Sequence, residues 1–227
     1  MQVAYLLYDR FTALDVAGPY EVLSSVPGTE SVLVAERPGP LRNDRRTLAI
    51  AADRSLDEVR SPDVVVVPGG FGTRRWLEHE PLLAWLRNVH ETTTWTTSVC
   101  TGSLLLAAAG LLAEAPATTH WRARETLASL GAVPVADRVV RHGKIITAAG
   151  VSSGIDMALR LVQEMFGDEV AQAVQLGIEY DPDPPLDAGS PEKAPTPIVE
   201  AVTAVFDSLE AEALARAETD RTGGPER

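Results

Sequence analysis

The chain has 227 residues, 45% of them hydrophobic, and a formal net charge of −12, which suits one α/β domain with a buried core, or a domain plus a tail. The acidic balance argues against a nucleic-acid partner, which needs a basic surface. No run reaches the ~18 apolar residues of a membrane span, and the apolar start is too short and lacks the basic flank of a signal peptide. A single cysteine excludes an internal disulfide and makes the reducing cytoplasm the expected compartment.

Residues 2–8 are hydrophobic almost throughout and read as a buried parallel strand. Asp9-Arg10-Phe11-Thr12 is a loop, and residues 13–25 show helical spacing, with Leu14, Ala17, Val22 and Leu23 able to share faces. Gly18-Pro19 belongs near the helix start, because proline is tolerated in a first turn. Asp15 falls at the head of this helix and Glu21 six residues on. The ordinary roles of two such acids are N-terminal charge and a solvated face. Residues 31–35 form a second strand, broken by Pro38-Gly39-Pro40. Residues 48–51 are a short strand beside it, and 53–59 a turn or short helix. Asp63 and four valines make the clearest central strand, which runs into Pro68-Gly69-Gly70-Phe71-Gly72. Such a turn lets backbone N–H groups approach a ligand, and it is also an ordinary strand exit. Residues 81–92 read as an amphipathic helix carrying Leu82, Leu83, Trp85, Leu86 and Val89.

The rest of the chain can be read around residues 94–103, Thr-Trp-Thr-Thr-Ser-Val-Cys-Thr-Gly-Ser. A β-branched run precedes the cysteine and suits a buried strand. The helix-forming run of residues 104–112 follows it. Cys100 therefore sits on a tight turn at the carboxyl edge of a sheet, beside the first free N–H groups of a helix, where a thiolate is favoured. A lone cysteine also serves commonly as a small buried hydrophobe, so position alone leaves both roles open.

The order up to this point is β-α-β-β-α-β-α, which implies a mostly parallel sheet with helices on both faces. Ligands of such sheets bind at the carboxyl ends of the strands. Asp15, Gly69-Gly70 and Cys100 all follow strands at that edge. Next come Ala117-Thr118-Thr119-His120-Trp121, a helix over 122–130, and strands over 133–140 and 144–148 around Arg141-His142-Gly143. A small-residue turn over 149–154 then leads into a helix over 155–165. The expected organisation is an α/β domain over 1–180, then a Pro-rich connection and last helix over 181–217 packed on that domain. A disordered tail over 218–227 ends the chain. The four histidines, His79, His90, His120 and His142, show no close pairing, so no metal site is expected. No dinucleotide fingerprint follows the first strand, and no cofactor is expected.

These motifs, in this order, resemble the PfpI-like superfamily, also called the ThiJ or parkinsonism-associated deglycase superfamily. It shares the flavodoxin-like α/β sandwich of class I glutamine amidotransferase domains. The matching residues are Leu14-Asp15-Val16-Ala17-Gly18-Pro19-Tyr20-Glu21-Val22, Val67-Pro68-Gly69-Gly70-Phe71-Gly72, Ser98-Val99-Cys100-Thr101-Gly102, Ala117-Thr118-Thr119-His120-Trp121 and the stretch 147–156. The first helix and the tail from Ile178-Glu179-Tyr180-Asp181-Pro182 to Gly189-Ser190-Pro191-Glu192 look like one branch, the isonitrile (isocyanide) hydratases. The resemblance implies that Cys100 is the nucleophile and that Asp15 is the acid meeting its sulfur. It also implies that Gly70 and Thr101 offer backbone N–H groups as an oxyanion pocket, and that His120 is accessory. The implied reaction is hydration of an isocyanide to an N-substituted formamide through a thioimidate-like adduct. An ionised Asp15 would raise the cysteine pKa, so the pair should share one proton and titrate as a unit. Asp15 would then serve as acid first and base later. Glu21 lies about 600° around the helix from Asp15, and a structural role at a subunit contact is expected. The resemblance also implies a homodimer acting on a small molecule.

Protease-like members usually carry Gly-Cys-His where this chain has Val99-Cys100-Thr101, which counts against a peptidase. A glyoxalase or deglycase acting on a reactive carbonyl would use the same cysteine and acid. Similar domains also form the sensing half of AraC-type regulators, which add a helix-turn-helix domain of about 100 residues. The roughly thirty residues after the Pro-rich connection, acidic in balance, are expected to be too few for one. A sensor whose cysteine is oxidised reversibly is the remaining reading.

Overall fold

Runs of β-branched and apolar residues set the strands, and β6 and β7, buried along their whole length, lie in the middle of the sheet. The computed structural model describes the backbone of residues 1–222, with side chains through Ala213. In chain order the elements are β1 (Gln2–Leu6), α1 (Ala13–Ser24), β2 (Glu30–Ala35), β3 (Gly39–Arg42), β4 (Ala49–Ala52), β5 (Arg54–Ser55), β6 (Val64–Val67), α2 (Thr73–Trp76), α3 (Glu80–Thr92), β7 (Trp95–Val99), α4 (Gly102–Ala108), β8 (Pro116–Ala117), α5 (Arg124–Ser129), β9 (Val133–Pro134), β10 (Val139–His142), β11 (Ile145–Ala148), α6 (Ser153–Phe166), α7 (Asp168–Gly177) and α8 (Thr196–Thr222).

Seven strands form one sheet in the order β10-β11-β7-β6-β1-β2-β5. All pairs are parallel except β10 with β11 at one edge. Helices flank this sheet, and the architecture is the flavodoxin-like α/β sandwich that the motifs imply. The four valines of β6 are fully buried, each contributing roughly 1.5–3 kcal/mol of hydrophobic stabilisation. After β1 the chain passes to β2 on one side, and later elements build out through β6 and β7 on the other. That reversal makes the β1–β6 boundary the topological switch point, where doubly wound sheets bind ligands.

Several local expectations are corrected. Pro19 is the seventh residue of the twelve-residue α1, not in its first turn. Its missing N–H leaves the Asp15 carbonyl without an i+4 donor, and the helix persists because the Pro19 ring is buried against Gly154 of α6. The segment read as a break at Pro38-Gly39-Pro40 enters β3, which pairs antiparallel with β4. A two-stranded ribbon is all edge, so a proline is tolerated there. The neighbour of β2 in the sheet is therefore β5, not the strand over 48–51. The single strand expected over 133–140 divides at Pro134, with β9 pairing to β8 and β10 to β11. Strand β10 runs through His142, so the turn falls one residue later than expected. Helix α4 spans seven residues rather than reaching Leu112, and Gly110, at φ 80°, follows its end. Helix α7 was not foreseen, although Gly167 at φ 83° and the acidic pair Asp168-Glu169 mark its start.

The amino end of β7 is closed by polar groups that satisfy one another. Lys144 Nζ donates to the carbonyls of His90, Glu91 (3.3 Å) and Thr93 (3.1 Å), capping the end of α3 with a cation. Thr96 Oγ1 lies 2.9 Å from both His90 Nδ1 and Thr93 Oγ1. Burial and the Lys144 charge hold His90 below its usual pKa.

The chain divides into two units, Met1–Tyr180 and Asp181–Arg227. In the second, the N–H groups of Lys193 and Ala194 return to the Ser190 carbonyl, and Lys193 pairs with Asp187 at 2.6 Å. Helix α8 extends past its expected end at residue 217, so residues 218–222 of the expected disordered tail are helical. Residues 223–227 lie outside the described residues. No helix among the described residues is long and apolar enough to cross a membrane.

Candidate active site

Three adjacent parallel strands, β1, β6 and β7, deliver Asp15, Gly69-Gly70 and Cys100 to one edge. The loops after β1 and β6 are tied by the Thr12 N–H, which donates to the Gly69 carbonyl at 2.8 Å. Cys100 is the first residue after β7 and takes φ 57°, a left-handed conformation that costs a non-glycine residue about 1–3 kcal/mol. The turn is held from both sides. Its N–H donates to the carbonyls of Ala148 (3.1 Å) and Ala149 (2.9 Å). Its carbonyl accepts from Thr119 Oγ1 (3.0 Å) and Ser103 Oγ (3.3 Å). The Thr-Thr-His segment thus contributes a hydroxyl that fixes the cysteine backbone.

Asp15 is fully buried and Cys100 is 5% exposed. Asp15 Oδ2 accepts the Gly69 N–H at 2.8 Å, while Oδ1 has no hydrogen bond of standard geometry. The carboxyl and the Cys100 thiol lie near enough to bear on each other's proton affinity. Gly69 makes this approach possible, since a Cβ there would stand 2.4 Å from Thr101 N and 2.9 Å from Cys100 Cβ. Gly70 has φ 147°, and a Cβ on it would meet the Arg10 carbonyl at 2.3 Å. Both positions accept glycine alone.

Burial pushes the Asp15 carboxyl well above its usual pKa; the Gly69 N–H partly offsets this, the Asp44 charge adds to it, and the Cys100 hydrogen bond opposes it. Burial also pushes the Cys100 thiol up, followed by the Asp15 charge. The N–H groups of Thr101 and Val151 act against that rise but do not cancel it. Desolvation thus outweighs the helix-end effect expected from sequence, and α4, seven residues long, supplies little dipole.

Two amides oppose the rise in the Cys100 proton affinity. Thr101 contributes its N–H, but the Gly70 N–H is taken by Thr101 Oγ1 at 2.9 Å. The second amide is that of Val151, in the turn before α6, at φ 34°. Thr101 Oγ1 continues into a line of hydroxyls, Thr73 Oγ1 at 2.8 Å and then Tyr8 OH at 2.9 Å, which ends on the Pro68 carbonyl at 2.7 Å. His120 is 9% exposed, and its Nδ1 accepts the Arg122 N–H at 3.4 Å. Burial and then the charges of Arg122 and Arg124 lower its pKa to about 4, so it is neutral near pH 7. Glu21 is exposed on α1 and apart from this cluster. Among the described residues no group of three or more His, Cys, Asp or Glu side chains is placed to hold a metal ion.

Sequence reasoning missed Tyr8, Thr73, Val151 as an amide donor, and Asp44. Asp44 lies in the β3–β4 connection. Its Oδ1 accepts the Phe71 N–H at 2.8 Å and its Oδ2 accepts Thr12 Oγ1 at 2.5 Å. No periodicity marks it, because it stands in an irregular, arginine-rich loop.

A family model for the DJ-1/PfpI family matches residues 1–164. The chain is 43% identical over 200 residues to an isonitrile hydratase of Pseudomonas putida, covering 88% of this chain and 87% of that one.

The chain belongs to the DJ-1/PfpI family.

A solved structure of a ThiJ/PfpI family protein from Pseudomonas syringae superposes with a TM-score of 0.88 at 38% identity, covering 94% of this chain and 89% of that one. A more distant DJ-1/PfpI relative is a glutathione-independent glyoxalase of Caenorhabditis elegans, 26% identical, covering 68% of this chain and 78% of that protein.

Proposed function

We propose that this DJ-1/PfpI chain is an enzyme that hydrates an isocyanide to an N-substituted formamide, with Cys100 as nucleophile and Asp15 as its proton partner. The observation that carries the reading is the fully buried Asp15 carboxyl set against the Cys100 thiol, both with raised proton affinity. The name of the Pseudomonas putida relative supplies the substrate class. The pair holds one proton. With that proton on Asp15, the thiolate attacks the terminal isocyanide carbon; an S–C bond forms and the same carbon takes the proton, giving a thioformimidate. Asp15, now ionised, takes a proton from water as its oxygen adds to that carbon, and returns it to the nitrogen. Asp15 then removes the hydroxyl proton, the C–S bond breaks, and the formamide leaves with the pair restored. The Thr101 and Val151 amides stabilise the departing thiolate. The acting form is a homodimer, a state that light scattering tests.

The deciding experiment is turnover of an aryl isocyanide by wild type beside Cys100→Ala, with the formamide quantified. Wild-type product that disappears in the variant is expected. Equal product from both removes the cysteine mechanism. Consumption of methylglyoxal in place of the isocyanide would transfer the same pair to a glyoxalase reaction.

A further inference from the structure

We propose that Asp44 is a positioning residue for the Asp15–Cys100 pair: its carboxylate clamps the loop after β1 to the loop after β6 and sets a second, half-buried acid behind the first. The identification of that pair as the reacting groups rests on the reading above; the clamp itself does not.

The geometry is specific. One Asp44 oxygen accepts from the Phe71 backbone and the other from the Thr12 hydroxyl. The Asp44 N–H donates to the Phe11 carbonyl at 3.0 Å, and Phe11 bridges Asn43. Thr12 and Phe71 flank the two glycine-bearing segments, since Thr12 N–H holds the Gly69 carbonyl and Gly69 N–H holds Asp15. A carboxylate from a third loop therefore adds to the backbone bonds Thr12 N–H to Gly69 carbonyl and Gly72 N–H to Arg10 carbonyl in setting where the Asp15 anchor lies. Removing it loosens two strand exits whose separation has to be kept to a few tenths of an ångström for proton transfer.

The carboxylate also carries charge to the pair. Asp44 disfavours ionisation of Asp15, Cys100 and Tyr8, and is itself offset by Arg10 and Arg45. Arg10 is 9% exposed, and its Nε and Nη1 have no hydrogen-bond partner, so it answers Asp44 at a distance rather than as an ion pair. The charged and titratable groups facing the thiol are thus Asp15 from α1, Tyr8 after β1 and Asp44 from the β3–β4 loop, with Arg10 behind Asp44. His120, in the segment whose Thr119 holds the Cys100 carbonyl, is neutral above about pH 4.

The test uses the single cysteine, whose alkylation by iodoacetamide reports its ionisation without interference. Asp44→Asn keeps the shape and removes the charge. Its alkylation midpoint is expected about one pH unit below wild type, with isocyanide turnover reduced about tenfold. Asp44→Glu should return the midpoint to wild type without restoring full turnover, because the longer side chain misplaces the clamp. Arg10→Met should move the midpoint the other way, upward. A folded Asp44→Asn with an unmoved midpoint overturns the proposal. If that variant gives no cooperative melt, an unmoved midpoint in Arg10→Met overturns it instead. The alkylation midpoint moves whether or not an isocyanide is the substrate, so loss of turnover in wild type would sink the reaction and leave the clamp standing or falling by itself.

Discussion

The two ends of β7 hold buried polar groups of opposite character. At the amino end, Lys144 caps three carbonyls and Thr96 meets both His90 and Thr93. At the carboxyl end, Cys100 is left-handed, Asp15 keeps an oxygen without a standard hydrogen bond, and burial raises the proton affinity of both groups. Both ends belong to the same strand and the same core. The difference is one of polar satisfaction: paired groups stabilise, whereas incompletely paired ones retain free energy, which on the proposed reading a reaction draws on.

The sharpest way to break this comparison is Asp15→Asn. It removes the proton partner from the carboxyl end, and turnover of an isocyanide should fall by about 100-fold or more. Because it also removes a costly buried acid, the melting temperature should hold or rise. A fall in both would make Asp15 a structural acid and erase the contrast.

A second test is pH. Neutral His120 belongs to the carboxyl end, and its pKa, about 4 in the fold, lies below the ~6.5 of an unfolded histidine. The unfolded state therefore binds more protons between these values, and stability must drop as pH falls from about 6.5 towards 4. Urea unfolding at pH 7 and pH 4.5 should show wild type losing about 2 kcal/mol more than His120→Gln. Equal losses would mean that His120 is not held neutral by its surroundings.

The amino end should answer in stability alone. Lys144→Met leaves the α3 carbonyls uncapped at a cost of about 1–2 kcal/mol, read by urea unfolding, while turnover per folded molecule stays within about twofold. A large loss of turnover would show that the two ends of the strand are coupled.

Much of the carboxyl end was legible in the residues, and the amino end was not. The valines of β6 and the Thr-Trp-Thr-Thr-Ser-Val run before Cys100 announce parallel strands by composition. Asp15 and Gly69-Gly70 follow strands at readable distances. What escaped depends on side chains meeting across loops. Asp44 contacts Thr12 and Phe71, 32 and 27 residues away, and no local pattern encodes that encounter. Val151 supplies a backbone amide, which carries no residue-type signature. The donation of the Gly70 N–H to the Thr101 hydroxyl is likewise a meeting across loops. Pro19 in the middle of α1 defeats a propensity rule because burial against α6 overrides it.

The rims of the sheet have a consequence for handling the protein. One rim is β5, two residues long, and the other is β10, where the Arg141 guanidinium lies 4.8 Å over the Trp95 ring and pairs with Glu164 at 2.6 Å. A stub and a charged border give a stray polypeptide little to hydrogen-bond to. Concentrated solutions should therefore resist fibril formation through strand addition, and aggregation on heating should begin from the unfolded chain rather than from the native sheet.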